Sequence, residues 1–322
     1  MNPALSVIFL TTLIGVGQGL FLALYTGQLL ALGGAVALPD GRAFFALGSA
    51  VSLLFLLAGL CASFFHLGHP ERAWRAIAMW RTSWLSRECL ALPAFMLAVF
   101  GYGVTHFFGW HVAPEPALRL AATVIGLSAA VLCIVLFVCT SMIYVCIRFL
   151  QEWASPLTVV NYLLLGCASG FTLATGFTAI IAPQLVGIFG VSAIVLTLAA
   201  LASRTASLLR NARLRPTSTL QTATGIRHPR IVQKAQGAMG GSFNTREFFH
   251  GKSALMLRSV KWVFLLLVFP LPVLLLAGGI ASGSVLLLAA AFAVQYLGLL
   301  AERWYFFAQA NHPQNLYYQQ IS

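Results

Sequence analysis

The stretch VSLLFLLAGLCASFF, residues 51–65, decides the fold, because it contains no charged residue and is apolar on every face. A transmembrane β-strand alternates apolar and polar residues in segments of about ten, so this stretch excludes a membrane β-barrel. The whole chain has the same character, since 60% of its 322 residues are hydrophobic and only 8% are charged. Soluble globular proteins carry about 25% charged residues, which excludes a soluble enzyme. The sequence predicts an all-α polytopic membrane protein.

Continuous apolar runs predict the number of membrane crossings. A crossing helix needs about 20 apolar residues, and suitable runs lie at 4–32, 43–65, 86–108, 118–147, 157–181, 184–206, 258–279 and 283–307. They predict a bundle of eight transmembrane helices that forms a single integral membrane domain over 1–322, with both termini on one side. The polar segment 207–257 is expected to be a long basic loop within that domain, and such long connections are usually functional or disordered.

Basic residues predict the orientation. Of the 19 lysines and arginines, 17 fall on the side of the termini and only Arg42 and Arg119 on the other side. Such residues concentrate on the cytoplasmic side of membrane proteins. We therefore expect a multi-pass protein of a bacterial inner (cytoplasmic) membrane, with both termini, the 66–87 connection and the long loop in the cytoplasm. This count places Arg204 in the long connection and explains the net charge of +12 without nucleic acid as a partner.

Metal and haem centres lack suitable ligands in the sequence. The six cysteines lie in apolar stretches and form no C-x-x-C pair, which argues against an iron–sulfur cluster. A b-type haem needs two histidines at one depth on neighbouring helices, whereas His66 and His106 are expected at opposite ends of their helices. We expect no haem and no metal in this chain.

Ionisable residues at membrane depth are functional candidates, because they are costly in hydrocarbon. His66 closes the second crossing in FFHLGHPERAW and Glu88 opens the third in SWLSREC, so a hairpin places both at one membrane level. A neutral histidine beside a carboxylate can hydrogen-bond a carbonyl oxygen and pass a proton near pH 7. A quinone needs that chemistry and an apolar cleft. In the structural alternative, His66 caps its helix and Glu88 pairs with Arg72 or Arg87.

Two further segments lie on the expected cytoplasmic side. The stretch RHPRIVQKAQGAMGGSFNTREFF, residues 227–249, mixes basic, glycine and aromatic residues. This mixture suits RNA or anionic lipid, but arginine and aromatic residues are also enriched at protein interfaces, and we favour the docking of a soluble partner. Glu302 and Arg303 end the last crossing beside the same interface, and the ordinary alternative for them is a helix-end ion pair within an aromatic belt.

The run HLGHPERAW, residues 66–74, followed by Ser86, Arg87 and Glu88, resembles the membrane anchor subunit of the dimethyl sulfoxide reductase family (molybdopterin oxidoreductase membrane subunit). The eight-crossing layout extends the resemblance over most of the chain. It implies an anchor without metal that binds a quinone, ubiquinone or menaquinone, at a histidine and a glutamate, here His66 and Glu88. It also implies an iron–sulfur electron-transfer subunit docked at that face and a molybdopterin catalytic subunit beyond it.

The resemblance extends to other residues. Arg303 and the aromatic residues after it are similar to the R-x-x-F-Y pattern that closes the family's last helix, although Glu302 directly precedes the arginine here. Within the membrane lipid, we expect quinone binding at His66, Glu88, Arg72 and Arg303. We expect partner docking at Arg75, Arg81, Arg246, Phe248 and Phe249.

The long loop with GGSFNTREFFHG is similar to the branch associated with cytoplasmic sulfite dehydrogenases. We therefore expect a quinone-reactive subunit, non-catalytic toward the substrate itself, in a complex that couples sulfite oxidation to quinone reduction. A dimethyl sulfoxide reductase-type anchor that oxidises menaquinol is the alternative. The alternative from another class is a secondary transporter, which would need charged residues near the bilayer middle and broken helices in two repeated halves. The sequence indicates neither.

Overall fold

The computed structural model describes residues 1–37, 41–112, 115–232, 234 and 248–318. Over these residues it contains helices and no β-strand, which confirms the all-α class. The predicted number of crossings is confirmed as well, since eight helical spans are long and apolar enough to cross a membrane. The long helices are α1 (Leu5–Leu32), α2 (Gly41–Phe64), α3 (Trp84–Val112), α4 (Glu115–Val145), α5 (Pro156–Ile181), α6 (Val186–Ala212), α7 (Ala254–Val268), α8 (Pro270–Ser282) and α9 (Val285–Ala308).

Polar residues at the membrane boundary set where several helices begin. At the start of α5, the side chain of Ser155 accepts a hydrogen bond from the backbone N–H of Leu157. Pro156 follows at the first helical position, where a missing N–H has no intrahelical partner to lose. Ser253 and Ser284 cap α7 and α9 in the same way. The sequence therefore fixes these helix ends locally, before any packing between helices.

The seventh crossing consists of two helices, which corrects the expectation of unbroken crossings. α7 ends at Val268 and α8 begins at Pro270, with Phe269 between them at φ −112° and ψ −78°. Proline restricts the residue before it and lacks an N–H donor. The carbonyl of Val268 therefore cannot accept a bond from Pro272, four residues on. It instead accepts one from the side-chain amide of Gln295 in α9, at 3.3 Å.

Helices α1 and α5 form the centre of the bundle, since 67% and 61% of their apolar windows are buried. Helix α5 also packs against α4, α6 and α9. The two central helices approach closely through glycine, because a Cβ placed on Gly19 or Gly170 would overlap the backbone of the opposite helix. Small residues allow this backbone approach between membrane helices. The close contact makes the polar side chains of both helices neighbours within the bundle.

The chain ends and the connections after α4 and α6 meet on one side, which we call the terminal face. The side-chain amide of Asn211 donates to the carbonyl oxygen of Glu152 at 3.4 Å, and that of Asn311 donates to the Glu152 carboxylate at 3.3 Å. The amino group of Met1 donates to the carbonyl oxygen of Ala310 at 2.7 Å. Met1 and the end of α9 therefore lie on the same side of the bundle, as an even number of crossings requires.

The boundaries of the long connection differ from the prediction. Helix α6 continues to Ala212, beyond the predicted span 184–206, so the connection begins at 213 instead of 207. Leu208 still packs against the bundle core, which explains why the helix extends through this more polar sequence. The connection ends before Ala254, where α7 begins.

Candidate functional site

His66 lies just beyond the end of α2, in an exposed turn on the side of the terminal face. Its backbone N–H donates to the carbonyl oxygen of Ser63 at 3.4 Å. Its imidazole makes no hydrogen bond or ion pair with the residues that the structure describes. Partial burial lowers the pKa of His66 below its ordinary value of 6.5, because desolvation disfavours the charged ring. The ring is therefore neutral at pH 7 and has a nitrogen available for a ligand.

Glu88 lies in the second turn of α3 and is only 8% exposed. Its Oε1 accepts a hydrogen bond of 2.5 Å from the hydroxyl of Thr140 in α4. The structural alternative, in which Glu88 pairs with an arginine, is not found in the described part of the chain. Arg72 lies 3.7 Å from Glu71, and the Arg87 guanidinium donates to backbone carbonyls at the end of the preceding connection. No hydrogen bond or ion pair joins Glu88 to His66 either.

The connection between α2 and α3 is exposed and rich in arginine–tryptophan pairs. Its 3₁₀ helix, Pro70–Ile77, has no buried residue. The guanidinium of Arg75 lies 5.5 Å from the centre of the Trp74 ring, and that of Arg81 lies 5.4 Å from the centre of Trp80. Arg75 and Arg81, two of the predicted docking residues, are therefore available to a partner on this surface.

The other predicted docking residues belong to the long connection. Arg246 lies outside the described residues. Phe248 is half-buried, and its ring stacks on His312 with centroids 3.7 Å apart and an interplanar angle of 6°. Asn315 also donates its side-chain amide to the carbonyl oxygen of Phe248 at 3.3 Å. Phe248 thus joins the long connection to the C-terminal segment, while Phe249 beside it is half-buried.

Arg204, Glu302 and Arg303 form a buried charge cluster. The Nε atoms of Arg204 and Arg303 lie 2.8 Å and 2.6 Å from the two carboxylate oxygens of Glu302, and no side chain in the cluster is more than 5% exposed. Glu302 lies about 9 Å along the axis before the end of α9, at the helical rise of 1.5 Å per residue. The cluster carries a formal net charge of +1 inside the bundle.

The charge cluster corrects two expectations. Arg204 lies inside α6 and is 1% exposed, although the count of basic residues grouped it with the long connection instead of with the predicted crossing 184–206. Glu302 and Arg303 form the ion pair of the ordinary alternative, but the pair is buried within the bundle. The sequence contained a signal for the buried position of Arg204: it is the single charged residue in the stretch LTLAALASRTASLL. A charge within a membrane helix is costly unless it is paired, so such an arginine indicates a buried partner. No sequence signal identified Thr140 as the partner of Glu88.

A small cavity, the chamber, lies between α1, α4, α5 and α9, and its largely apolar wall includes several polar side chains. Its volume is about 30 Å³. Among the residues of its wall, the guanidinium of Arg303 lies over the Tyr162 ring, 4.1 Å from the ring centre. The chamber is lined by Thr11, Thr12, Ile14, Gly15, Gln18, Phe137, Thr140, Tyr162, Leu165, Gly166, Ser169, Leu299 and Arg303. Thr140, which binds Glu88, and Arg303, which belongs to the charge cluster, therefore face one interior space.

The groups that could bind a ligand or carry a proton lie at two separate positions, one exposed and one buried. His66 offers an exposed imidazole at the end of a crossing, while Glu88 and Thr140 form a buried carboxyl–hydroxyl pair that can hold or release a proton. Among the described residues, no group of three or more histidine, cysteine, aspartate or glutamate side chains is arranged to hold a metal ion.

These features define the class: a polytopic membrane protein with a polar interior on the side of its terminal face. Residues 1–229 match the family model described as the DMSO reductase anchor subunit (DmsC), and the chain belongs to this family. It is therefore a membrane anchor subunit. An anchor serves a multi-subunit oxidoreductase, which implies a catalytic and an electron-transfer partner.

A curated relative is similar over its whole length. The chain is 57% identical over 330 aligned positions to a sulfite dehydrogenase subunit of Allochromatium vinosum, and the alignment covers 100% of both chains. The predicted membership of the anchor family and the similarity to its sulfite dehydrogenase branch are both confirmed.

Proposed function

We propose that this chain anchors a complex in which a molybdopterin subunit oxidises sulfite and an iron–sulfur subunit passes the electrons to membrane quinone. The observation that carries the proposal is the identity of 57% with a subunit of a sulfite dehydrogenase, which extends over the full length of both chains. Oxidation of sulfite to sulfate releases two electrons and two protons, and reduction of a quinone to a quinol takes up two of each. The anchor must therefore serve proton transfer as well as attachment.

His66 is suited to hold the quinone head group. Its ring is neutral at pH 7, exposed, and not used by any described side chain, so it can donate to a carbonyl oxygen. The neighbouring Phe64 and Phe65 are 46% and 86% exposed and offer apolar surface to an isoprenoid tail. A bound quinone supplies a two-electron, two-proton acceptor at this position. Exposed Arg72 lies in the same connection and would add a positive charge to such a site.

Glu88 is suited to hold or release a proton instead of contacting the head group, because it is buried and already bound to Thr140. Arg303 faces the chamber and not the membrane surface. Its contribution to quinone binding would therefore be electrostatic.

The orientation and the docking face follow from the basic residues. The exposed Arg75 and Arg81 lie on the connection that carries His66, so a docked iron–sulfur subunit would stand next to the quinone. Basic residues on this side favour the cytoplasm, and we place the terminal face, the long connection and both partners in the cytoplasm of a bacterium. Phe248, Phe249 and Arg246 would extend the docking surface along the long connection.

The family description favours a second candidate, an anchor that oxidises menaquinol for a dimethyl sulfoxide reductase. Purification through a tag on this chain, from detergent-treated membranes of its own organism, separates the candidates. Mass spectrometry and metal analysis should find two soluble partners with iron and molybdenum. Electron transfer from sulfite, without turnover of dimethyl sulfoxide, supports the first candidate, and the reverse supports the second. A metal-free chain that purifies alone and folded would refute both.

A further inference from the structure

The chamber borders polar groups whose hydrogen-bonding capacity is not satisfied by the described residues. The hydroxyl of Tyr162 lies close to Arg303 and Tyr144 and interacts with both. Even so, that hydroxyl and Nη1 of Arg303 are buried and make no hydrogen bond of good geometry with the described residues. A buried donor without a partner is unfavourable, because it gives up its hydrogen bonds to bulk water. A cavity of about 30 Å³ is large enough for about two water molecules, and water occupies cavities whose walls provide polar partners. The chamber has this volume, and although most of its wall is apolar, the Tyr162 hydroxyl and Arg303 provide polar partners.

Thr140 connects the chamber to Glu88. Buried threonines such as Thr172 and Thr175 donate to carbonyls of their own helix, at 2.9 Å and 2.8 Å. The Thr140 hydroxyl instead donates to the carboxylate of Glu88 in the neighbouring helix α3, and Thr140 is also one of the residues that line the chamber. A hydroxyl has one proton to donate and lone pairs that accept. Thr140 can therefore donate to Glu88 and accept from water in the chamber at the same time.

We propose that the chamber holds ordered water and that Thr140 passes protons between this water and Glu88. This inference rests on the proposed function, in which Glu88 supplies protons for quinone reduction. When Glu88 gives up its proton, Thr140 transfers its hydroxyl proton to the carboxylate and takes one from the chamber water. That water regains its proton from the cytoplasm, so each cycle moves one proton and leaves Thr140 and Glu88 as they began. Quinol oxidation would use the same steps in reverse.

Two hydroxyl deletions test the relay, each with a matched control. Thr140→Val removes the hydroxyl at nearly constant shape, and Thr172→Val makes the same change at a buried threonine outside the chamber wall. Tyr162→Phe removes a chamber hydroxyl, and Tyr102→Phe removes another buried hydroxyl without a described partner, far from the terminal face. Thr140→Ser restores the hydroxyl. The proteins are purified as complexes, and quinone reduction is compared with reduction of a hydrophilic artificial acceptor.

The relay predicts that Thr140→Val lowers kcat for quinone by about tenfold or more with KM unchanged, because relay of a proton contributes to the rate and not to binding. Tyr162→Phe should lower kcat in the same direction, Thr140→Ser should recover most of the loss, and the two controls should match the wild type. If Thr140→Val and Thr172→Val behave alike, or if Thr140→Ser fails to recover the rate, Thr140 is not a relay.

A structural measurement separates the chamber from the proposed function. High-resolution cryo-electron microscopy of the wild-type complex should show water within hydrogen-bond distance of the Tyr162 hydroxyl and Arg303. A dry chamber would overturn the inference even if the complex reduces quinone. Water in the chamber of a complex that does not react with quinone would instead overturn the proposed function and leave the water site standing.

Discussion

The replacement Glu302→Gln should destabilise the bundle more than any other single change in the charge cluster. The Glu302 carboxylate is fully buried and lies 2.8 Å and 2.6 Å from the guanidinium groups of Arg204 and Arg303. An amide in its place leaves two buried positive charges without a counter-charge. Breaking one buried ion pair from one side costs about 3–5 kcal/mol. That loss lowers the ratio of folded to unfolded protein by between about a hundredfold and several thousandfold.

The ranking of three variants tests this reasoning. At about 2 °C per kcal/mol for a chain of this size, Glu302→Gln should lower the thermal midpoint of the monodisperse protein in detergent by about 6–10 °C. Arg204→Met should cost less, because it leaves Glu302 and Arg303 as a neutral pair. The matched control, Glu71→Gln, alters an ion pair that is 63% exposed and should cost less than about 1 kcal/mol. A Glu302→Gln protein as stable as the Arg204→Met protein would show that the Glu302 carboxylate is not needed to neutralise the two buried arginines.

Three other results are expected. Gly170→Ala should sharply reduce the folded yield in the membrane, because a Cβ there overlaps the backbone of α1. The control Gly187→Ala, which has open space around it, should leave the yield unchanged. Equal yields of the two variants would contradict this packing. Desolvation keeps the pKa of His66 below 6.5, so the neutral ring persists to lower pH than usual. When the rate of quinone reduction is measured against pH, its fall on the acid side should therefore have a midpoint below pH 6.5. Phe248→Ala removes a ring stack with the C-terminal segment and should speed limited proteolysis of the long connection; an unchanged rate would argue against that stack.

The eight crossings were predictable because each apolar run must satisfy its backbone within one helix, so length and hydropathy alone identify it. The break at Phe269 was not predicted, since proline is common in membrane helices and its effect depends on neighbours. Here Gln295 of α9 satisfies the carbonyl of Val268, which makes the break tolerable. A contact between two helices decided that local structure, and a single sequence does not reveal such a contact.

Part of the candidate site was also predictable from the pattern of apolar and ionisable residues. His66 and Glu88 stood out because they are ionisable residues at the ends of apolar runs, and the bundle places both on the side of the terminal face. Their partners come from other helices: Thr140 for Glu88, and Arg204 for Glu302. Arg204 was assigned to the long connection because counts of basic residues treat all arginines near a helix end alike. Pairing with a buried glutamate is what allows this arginine to lie inside α6.

Sulfite-driven reduction of a quinone analogue by the purified complex tests most directly whether this anchor binds quinone at His66. The wild-type chain and His66→Gln are compared at equal complex content. His69→Gln, which alters an exposed histidine three residues away, serves as the control. The wild-type and control complexes should reduce the quinone, whereas the His66→Gln complex should lose this activity and still oxidise sulfite with a hydrophilic acceptor. Equal quinone reduction by all three complexes would show that His66 does not hold the quinone head group.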